Sequence, residues 1–275
     1  MKKNTLFLIF FALTIHLEPR AQKMTVMTYN IRYDNPADGP DNWHHRKFRL
    51  CRQIEKVSPV VFGIQEGLDH QVAFIDSLFP AYRHIGSGRD DGEKRGEYCA
   101  IWYNPNFTDL ILQGTFWLSP TPHRVSVGWD AALPRICTYG KFRDKSGGKS
   151  FLVFNTHLDH IGTEARKQSV SLILAKIDSL NQENLPIILM GDMNSLPESE
   201  PIQKLLKRYG GTSAMNLKEN TFNGFNPRNT ETIRIDYIFA GGGFVISRST
   251  VIREITGGHF PSDHFPVVSE VIFPQ

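Results

Sequence analysis

Residues 185–195 read Leu185-Pro186-Ile187-Ile188-Leu189-Met190-Gly191-Asp192-Met193-Asn194-Ser195. The run Ile187 to Met190 is too short for a helix and is bounded by Pro186 and Gly191, so it reads as a strand buried on both faces. Where the apolar run stops, Gly191 permits close backbone approach. Asp192 and Asn194 project the same way if the strand persists that far. A carboxylate and an amide at the mouth of a buried strand suit a hard cation or a phosphate. An Asx-turn after a strand accounts for the same tetrapeptide.

The pattern recurs outward from this stretch. On its N-terminal side, Thr163 to Asn181 predicts a helix with Val170, Ile173, Leu174, Ile177 and Leu180 as its apolar stripe and Thr163 as N-cap. Before it, Arg135–Phe142 and Ser150–Leu158 pair as a hairpin. Earlier still lie strands at Met24–Asn30, Val60–Ile64, Glu97–Tyr103 and Phe107–Leu118. Helices are expected at His45–Val57, with Phe48, Leu50, Cys51 and Ile54 as its apolar side, and at Asp69–Phe79. On the C-terminal side come a short helix from Glu200 to Tyr209, a polar stretch over 210–232, and strands at Arg234–Ala240, Phe244–Glu254 and Pro266–Phe273. Mixed strands with a few helices, and no repeat or linker, suit one α/β domain of two packed mixed sheets with helices outside.

Residues 1–21 stand apart. Lys2 and Lys3 precede a mostly apolar run from Leu6 to Leu17, and Ala21-Gln22 is a fitting cleavage point. The run is too short to span a membrane, so it reads as a secretory signal peptide, leaving 22–275 as an exported domain without a transmembrane segment. The 275-residue chain carries a formal charge of +3; losing Lys2, Lys3 and Arg20 with Glu18 leaves +1. A near-neutral chain is not one that grips long nucleic acid through its phosphates. Cys51, Cys99 and Cys137 lie in apolar surroundings and read as buried free thiols, a Cys99–Cys137 disulfide being the alternative in an oxidising compartment.

Polar groups recur wherever apolar strands end: Asn30, Glu66, His157 with Asp159, and Asp192 with Asn194. Asp236 falls inside an apolar strand, and Asp263-His264 precede the last one. Singly, each reads as a turn residue, a cap or a packed histidine. Asp236 differs, because an ionised carboxylate inside an apolar strand costs several kcal/mol unless paired, and a histidine is its natural partner.

The motifs Thr28-Tyr29-Asn30-Ile31-Arg32, Ile64-Gln65-Glu66, Asn155-Thr156-His157-Leu158-Asp159, Gly191-Asp192-Met193-Asn194, Ile235-Asp236-Tyr237 and Ser262-Asp263-His264 together resemble the endonuclease/exonuclease/phosphatase superfamily, with the fold of pancreatic-type deoxyribonuclease. The resemblance implies a four-layer α/β sandwich and a Mg²⁺- or Mn²⁺-dependent phosphoesterase site at one edge. It implies Glu66 as principal metal ligand with Asn30 and Asp263 beside it, and Asp192 aligning or deprotonating the attacking water. Asn194 would hold a phosphate oxygen or the metal, His157 and His264 would contact the phosphoryl group, and Asp236 would orient His264. Tyr98 and Arg135 would add phosphate contacts. Loop aromatics, Trp43 and Trp129 among them, are candidates to stack a base or sugar. The expected enzyme is a monomer acting on a small or chain-end phosphate ester of a sugar, inositol, lipid head group or nucleotide. An extracellular nuclease and an inactive binding protein of the same fold are the alternatives.

Overall fold

The computed structural model describes residues 22–209, 218–228, 231 and 233–274. The expected signal peptide, residues 1–21, lies outside them, and so does much of the polar stretch 210–232. Among the described residues no helix is long and apolar enough to cross a membrane.

Two mixed sheets face each other. The first, in order β10-β11-β1-β2-β4-β3, comprises β1 (Lys23–Asn30), β2 (Val61–Gln65), β3 (Arg83–Ile85), β4 (Ile101–Tyr103), β10 (Val245–Val251) and β11 (Val267–Ile272). The second, in order β5-β6-β7-β8-β9, comprises β5 (Thr108–Trp117), β6 (Ile136–Asp144), β7 (Ser150–His157), β8 (Ile187–Asp192) and β9 (Asp236–Gly241). Helices α1 (Trp43–Val57) and α2 (Asp69–Leu78) cover the outer face of the first sheet, where Leu50, Ile54, Val72 and Ile75 pack against Met27, Phe62 and Trp102. Helices α3 (Thr163–Leu180) and α4 (Glu200–Tyr209) cover the second, Val170, Ile173 and Ile177 meeting Leu152, Phe154 and Leu189. Between the sheets lies a third apolar layer, including Val26, Phe142, Phe151, Val153, Ile188, Met190 and Val267. This is the expected four-layer α/β sandwich. Each large side chain buried in these layers contributes roughly 1.5–3 kcal/mol, so the strand ends rest on rigid elements.

β8 is buried along its whole length, because the sheet lies between helices on one side and its partner sheet on the other. Gly191 has φ +142, and a Cβ there would lie 1.9 Å from the Thr156 carbonyl oxygen. Only glycine lets β8 approach β7 this closely. Beneath the strand ends the two sheets are stitched by polar groups with no solvent exposure. Gln65 Nε2 donates to Asn155 Oδ1 at 2.6 Å and to Thr28 Oγ1 at 3.0 Å, and Asn155 Nδ2 donates to the Ile64 and Ala100 carbonyls at 2.8 and 2.9 Å. A Cβ on Gly63 would lie 2.6 Å from Asn155 Cγ, so that glycine makes room for the stitch.

Several local expectations change. The strand expected over Glu97–Tyr103 pairs continuously only from Ile101, Tyr98 making isolated bridges to Gly67 and Gly88. Phe48 points outward, 63% exposed, against the edge of Phe74, and buried Arg46 and Gln53 join the inner face of α1 instead. Thr163 is not the cap of α3. Asp130, from the long loop before β6, accepts the N–H groups of Glu164 and Ala165 at 3.2 and 2.6 Å, supplying the acceptor that the first turn needs. Cys51, Cys99 and Cys137 are buried free thiols, as the first reading has it.

Candidate active site

The register of the second sheet assembles the centre. His157 on β7 lies opposite Asp192 on β8, and Asp192 lies opposite Asp236 on β9. Three strands that end together therefore present three polar side chains in a row, all buried. The first sheet faces this row with Asn30 at the end of β1 and Glu66 just past β2. The loop before β11 adds Asp263 and His264. These close a cleft of about 970 Å³, bounded also by Arg32, Arg89, Glu97, Arg135, His160 and Asn194, with Leu133, Leu196, Phe222, Ile233 and Ile235 as an apolar side.

The backbone departs from ordinary geometry at this edge. Arg32, Glu66 and Asn194 have φ of +54, +65 and +43, a region that costs non-glycine residues energy. β8 thus ends at Asp192, and Asn194 reaches the site through a turn rather than along the strand. The Asn194 N–H donates to Asp192 Oδ1 at 2.8 Å while Asn194 Nδ2 lies 3.0 Å from His157 Nε2. The Asx-turn and the site are the same object.

The two histidines differ in charge. His264 Nδ1 is 2.9 Å from Asp236 Oδ2, the predicted pair. Burial alone would lower the His264 pKa, but the Asp236 carboxylate outweighs it and raises it to about 10, an imidazolium. His157 goes the other way: burial, then Arg135 and Arg89, hold it well below the usual range, so it is neutral. Burial and the facing Asp236 push Asp192 up to about 7, against His264 and the amides of Asn194 and Asn30. Asp263 rises to about 6 through burial and Glu66, with His264 opposing.

Glu66, Asp192 and His264 offer ligand atoms within 4.8 Å of one another. A protonated His264 is no ligand, so the oxygens carry the fit: crowded carboxylates at one edge suit a hard divalent ion. Asn30 lies beside Glu66. Its Nδ2 donates to Glu66 Oε1 and Asp192 Oδ2, both at 2.9 Å, while its Oδ1 accepts the Arg32 N–H. It braces the two carboxylates side by side.

Arg135 lines the cleft, gripped by Asp159 at 3.2 Å and by His160 at 2.8 Å, with Nη1 buried and without a hydrogen-bond partner. Three other expected contacts lie elsewhere. The Tyr98 hydroxyl bonds Asp69 Oδ1 at 3.1 Å and the Glu93 carbonyl at 3.0 Å, tying loops together outside the cleft. Trp43 is buried against Phe74 and Arg46 and anchors α1. Trp129 is 38% exposed beside the residue that caps α3, and it does not line the cleft. Of the loop aromatics, Phe222 arrives, its ring edge-on to His264 at 5.0 Å.

Residues without a sequence assignment complete the site. Arg32 forks Asp38 at 3.0 and 2.9 Å and lies 3.8 Å from Asp263. Glu97 receives a two-pronged contact from Arg89 at 2.7 and 2.8 Å; burial and Glu66 raise it to about 7 against that contact. Arg46 is fully buried, donating to the carbonyls of Ile31, Arg32, Tyr33, Asp41 and Pro261. It thereby joins the loop after Asn30 to the loop that carries Asp263. Arg32 closes the Thr28–Arg32 motif, and Arg89 and Glu97 flank a Gly-rich turn, so all three had a signal; Arg46, an arginine on an amphipathic helix, had none.

A family model described as the Endonuclease/Exonuclease/phosphatase family matches residues 27–264. A solved endonuclease/exonuclease/phosphatase family protein from Bacteroides thetaiotaomicron is 35% identical at a TM-score of 0.87, over 94% of this chain and 100% of that one. A mannosyl-6-phosphatase of the same organism is 36% identical at a TM-score of 0.83, over 91% of this chain and 100% of that one. Among curated proteins, the Probable RNA exonuclease NGL3 of Saccharomyces cerevisiae is 28% identical over 219 residues, 71% of this chain and 42% of that protein. Protein angel of Drosophila melanogaster is 27% identical over 188 residues, 62% of this chain and 48% of that protein. The chain spans about half the length of these curated relatives.

Proposed function

The chain belongs to the endonuclease/exonuclease/phosphatase family, whose members hydrolyse phosphoester bonds, and within it we propose an exported, Mg²⁺- or Mn²⁺-dependent phosphoesterase. Its substrate is a small or chain-end phosphate ester, a phosphorylated sugar foremost. Residues 22–275 form the working domain once residues 1–21 are removed. The observation that carries the reading is the row His157, Asp192 and Asp236, with His264 and Glu66 closing over it.

In this reading Asp192, raised towards neutrality, takes the proton of the attacking water. The His264 imidazolium, fixed by Asp236, donates to the phosphoryl oxygens, where charge grows as the ester oxygen departs. Asn194 Nδ2 donates to neutral His157 and to the Leu158 carbonyl, and so holds that ring in place rather than binding phosphate itself. Arg135 supplies a further donor at the cleft wall. Glu66 and Asp263 would hold the divalent ion, Asn30 bracing Glu66, and the ion would neutralise phosphoryl charge.

The solved mannosyl-6-phosphatase, alike over nearly its full length, supports the sugar phosphate class. The partial match to a probable RNA exonuclease favours a nuclease as the second reading. A panel of sugar, inositol and nucleotide monoesters, diesters, plasmid and RNA, run with Mg²⁺, Mn²⁺ and EDTA, separates them. Metal-dependent phosphate release from a small monoester is expected. Plasmid or RNA cleavage without it would reverse the order, and no activity on any substrate by folded protein would leave the inactive binding protein.

A further inference from the structure

Arg89 and Glu97 lie on opposite arms of the loop between β3 and β4, where the Arg89 N–H donates to the Glu97 carbonyl at 3.2 Å. Their side chains meet as a fork, and both line the cleft. A loop clip needs the fork but not its place in an anion-binding cleft. Glu97 Oε2 is 3.9 Å from His157 Nδ1, while Nε2 of the same ring is 3.4 Å from Asp192. The carboxylate therefore stands one imidazole away from the row that would receive the phosphate, where a bare acceptor opposes anion binding. Arg89 Nε, also buried, has no hydrogen-bond partner and only Asp90 at 3.8 Å as an ionic neighbour.

Each Glu97 oxygen gives one lone pair to Arg89 and retains another. With Glu97 ionised, the pair is a net-neutral surface of acceptors. Neighbouring hydroxyls, each able to donate, match it. A second phosphate, which only accepts, meets the Glu97 carboxylate.

We propose that the Arg89–Glu97 pair reads hydroxyl groups of the substrate, so that the cleft selects a sugar or polyol phosphate over a phosphate ester without hydroxyls and over a polynucleotide. This rests on the phosphoesterase reading above. The phosphate lies at Asp192 and His264, and the hydroxyls of the carbon skeleton reach past His157 to Glu97.

The test compares a hexose 6-phosphate with phenyl phosphate, both with Mg²⁺, on the wild type and on Glu97→Gln. The ratio of kcat/KM for the sugar ester over the phenyl ester is expected to fall at least ~10-fold in the variant, mainly through KM, because the unpaired hydroxyl is what the change exposes. An equal factor on both esters overturns the subsite. Should Glu97→Gln fail to fold, singly deoxygenated hexose phosphates on the wild type ask the same question. At least one is expected to lose ~10-fold in kcat/KM, and uniform values across the set overturn the proposal. Wild-type inactivity on both esters is a different failure, that of the phosphoesterase reading, and it shows before any variant is made.

Discussion

Asp159 and Asp192 are the same residue in nearly the same situation. Each lies at or just past the end of one of two neighbouring parallel strands, and each is 1% exposed. Yet Asp192 is raised to about 7 and Asp159 lowered to about 2. Burial pushes both upward, Asp192 further because it lies deeper, and what each carboxylate faces widens the difference. Asp159 accepts the N–H groups of Gly162, Ile161 and Ala132 and pairs with Arg135. Asp192 shares its space with Asp236 and takes only the Asn194 N–H and the Asn30 amide. A saturated carboxylate is a fastener. One left short of donors beside another carboxylate is ready to take a proton.

The sharpest way to break this comparison is to remove each side chain and ask what fails. Asp192→Ala is expected to lower kcat at least ~100-fold, the scale of losing one general base or charge-stabilising group. Asp192→Asn, which keeps one acceptor, should do likewise while its melting temperature stays within a few degrees of wild type. His264→Ala should match the kinetic loss. Steady-state rates on the best substrate of the panel, with Mg²⁺, decide it; near-normal turnover in Asp192→Ala or His264→Ala would remove the site assignment.

Asp159→Ala should fail differently. It leaves three N–H donors and Arg135 Nε without their acceptor, and each deserted buried group costs on the order of 1 kcal/mol or more. A stability loss of about 2–4 kcal/mol by urea titration is expected. Arg135 then loses its grip, so KM should rise more than kcat falls. A variant that instead loses kcat with unaltered stability would make Asp159 the reactive group and undo the contrast.

No local signal in the sequence separates the two aspartates, since both follow an apolar strand. What was legible was the recurrence of polar groups at strand ends, because period and burial of β7, β8 and β1 are local properties. Their convergence followed once the strands were placed in register. Side-chain direction across loops was not legible. Tyr98 sits in a motif beside the site yet turns its hydroxyl to Asp69, and Trp43 and Trp129 lie in loops or at helix starts that suit either stacking or anchoring. Asp130 caps a helix more than thirty residues away, a contact that no window of sequence contains. Short β3 was missed because three residues carry no period, and Arg46 because its partners are backbone carbonyls, invisible in any side-chain pattern.

The finest test of the contrast is the acid limb of the stability curve. The folded pKa of Asp159, about 2, lies below that of an unfolded aspartate, so its contribution is present above the unfolded value of about 4. It is lost as the pH falls through the folded value, because the unfolded chain takes up the proton first. Between roughly pH 4 and pH 2 the wild type should therefore lose stability faster than Asp159→Asn. The difference should be small, since other carboxylates titrate in the same window. Parallel urea titrations in steps of half a pH unit would show it as two curves that converge towards low pH. Curves that run parallel down to pH 2 would mean that the N–H groups around Asp159 do not hold its charge, and the distinction between fastener and reactive carboxylate would then have to rest on Asp192 alone.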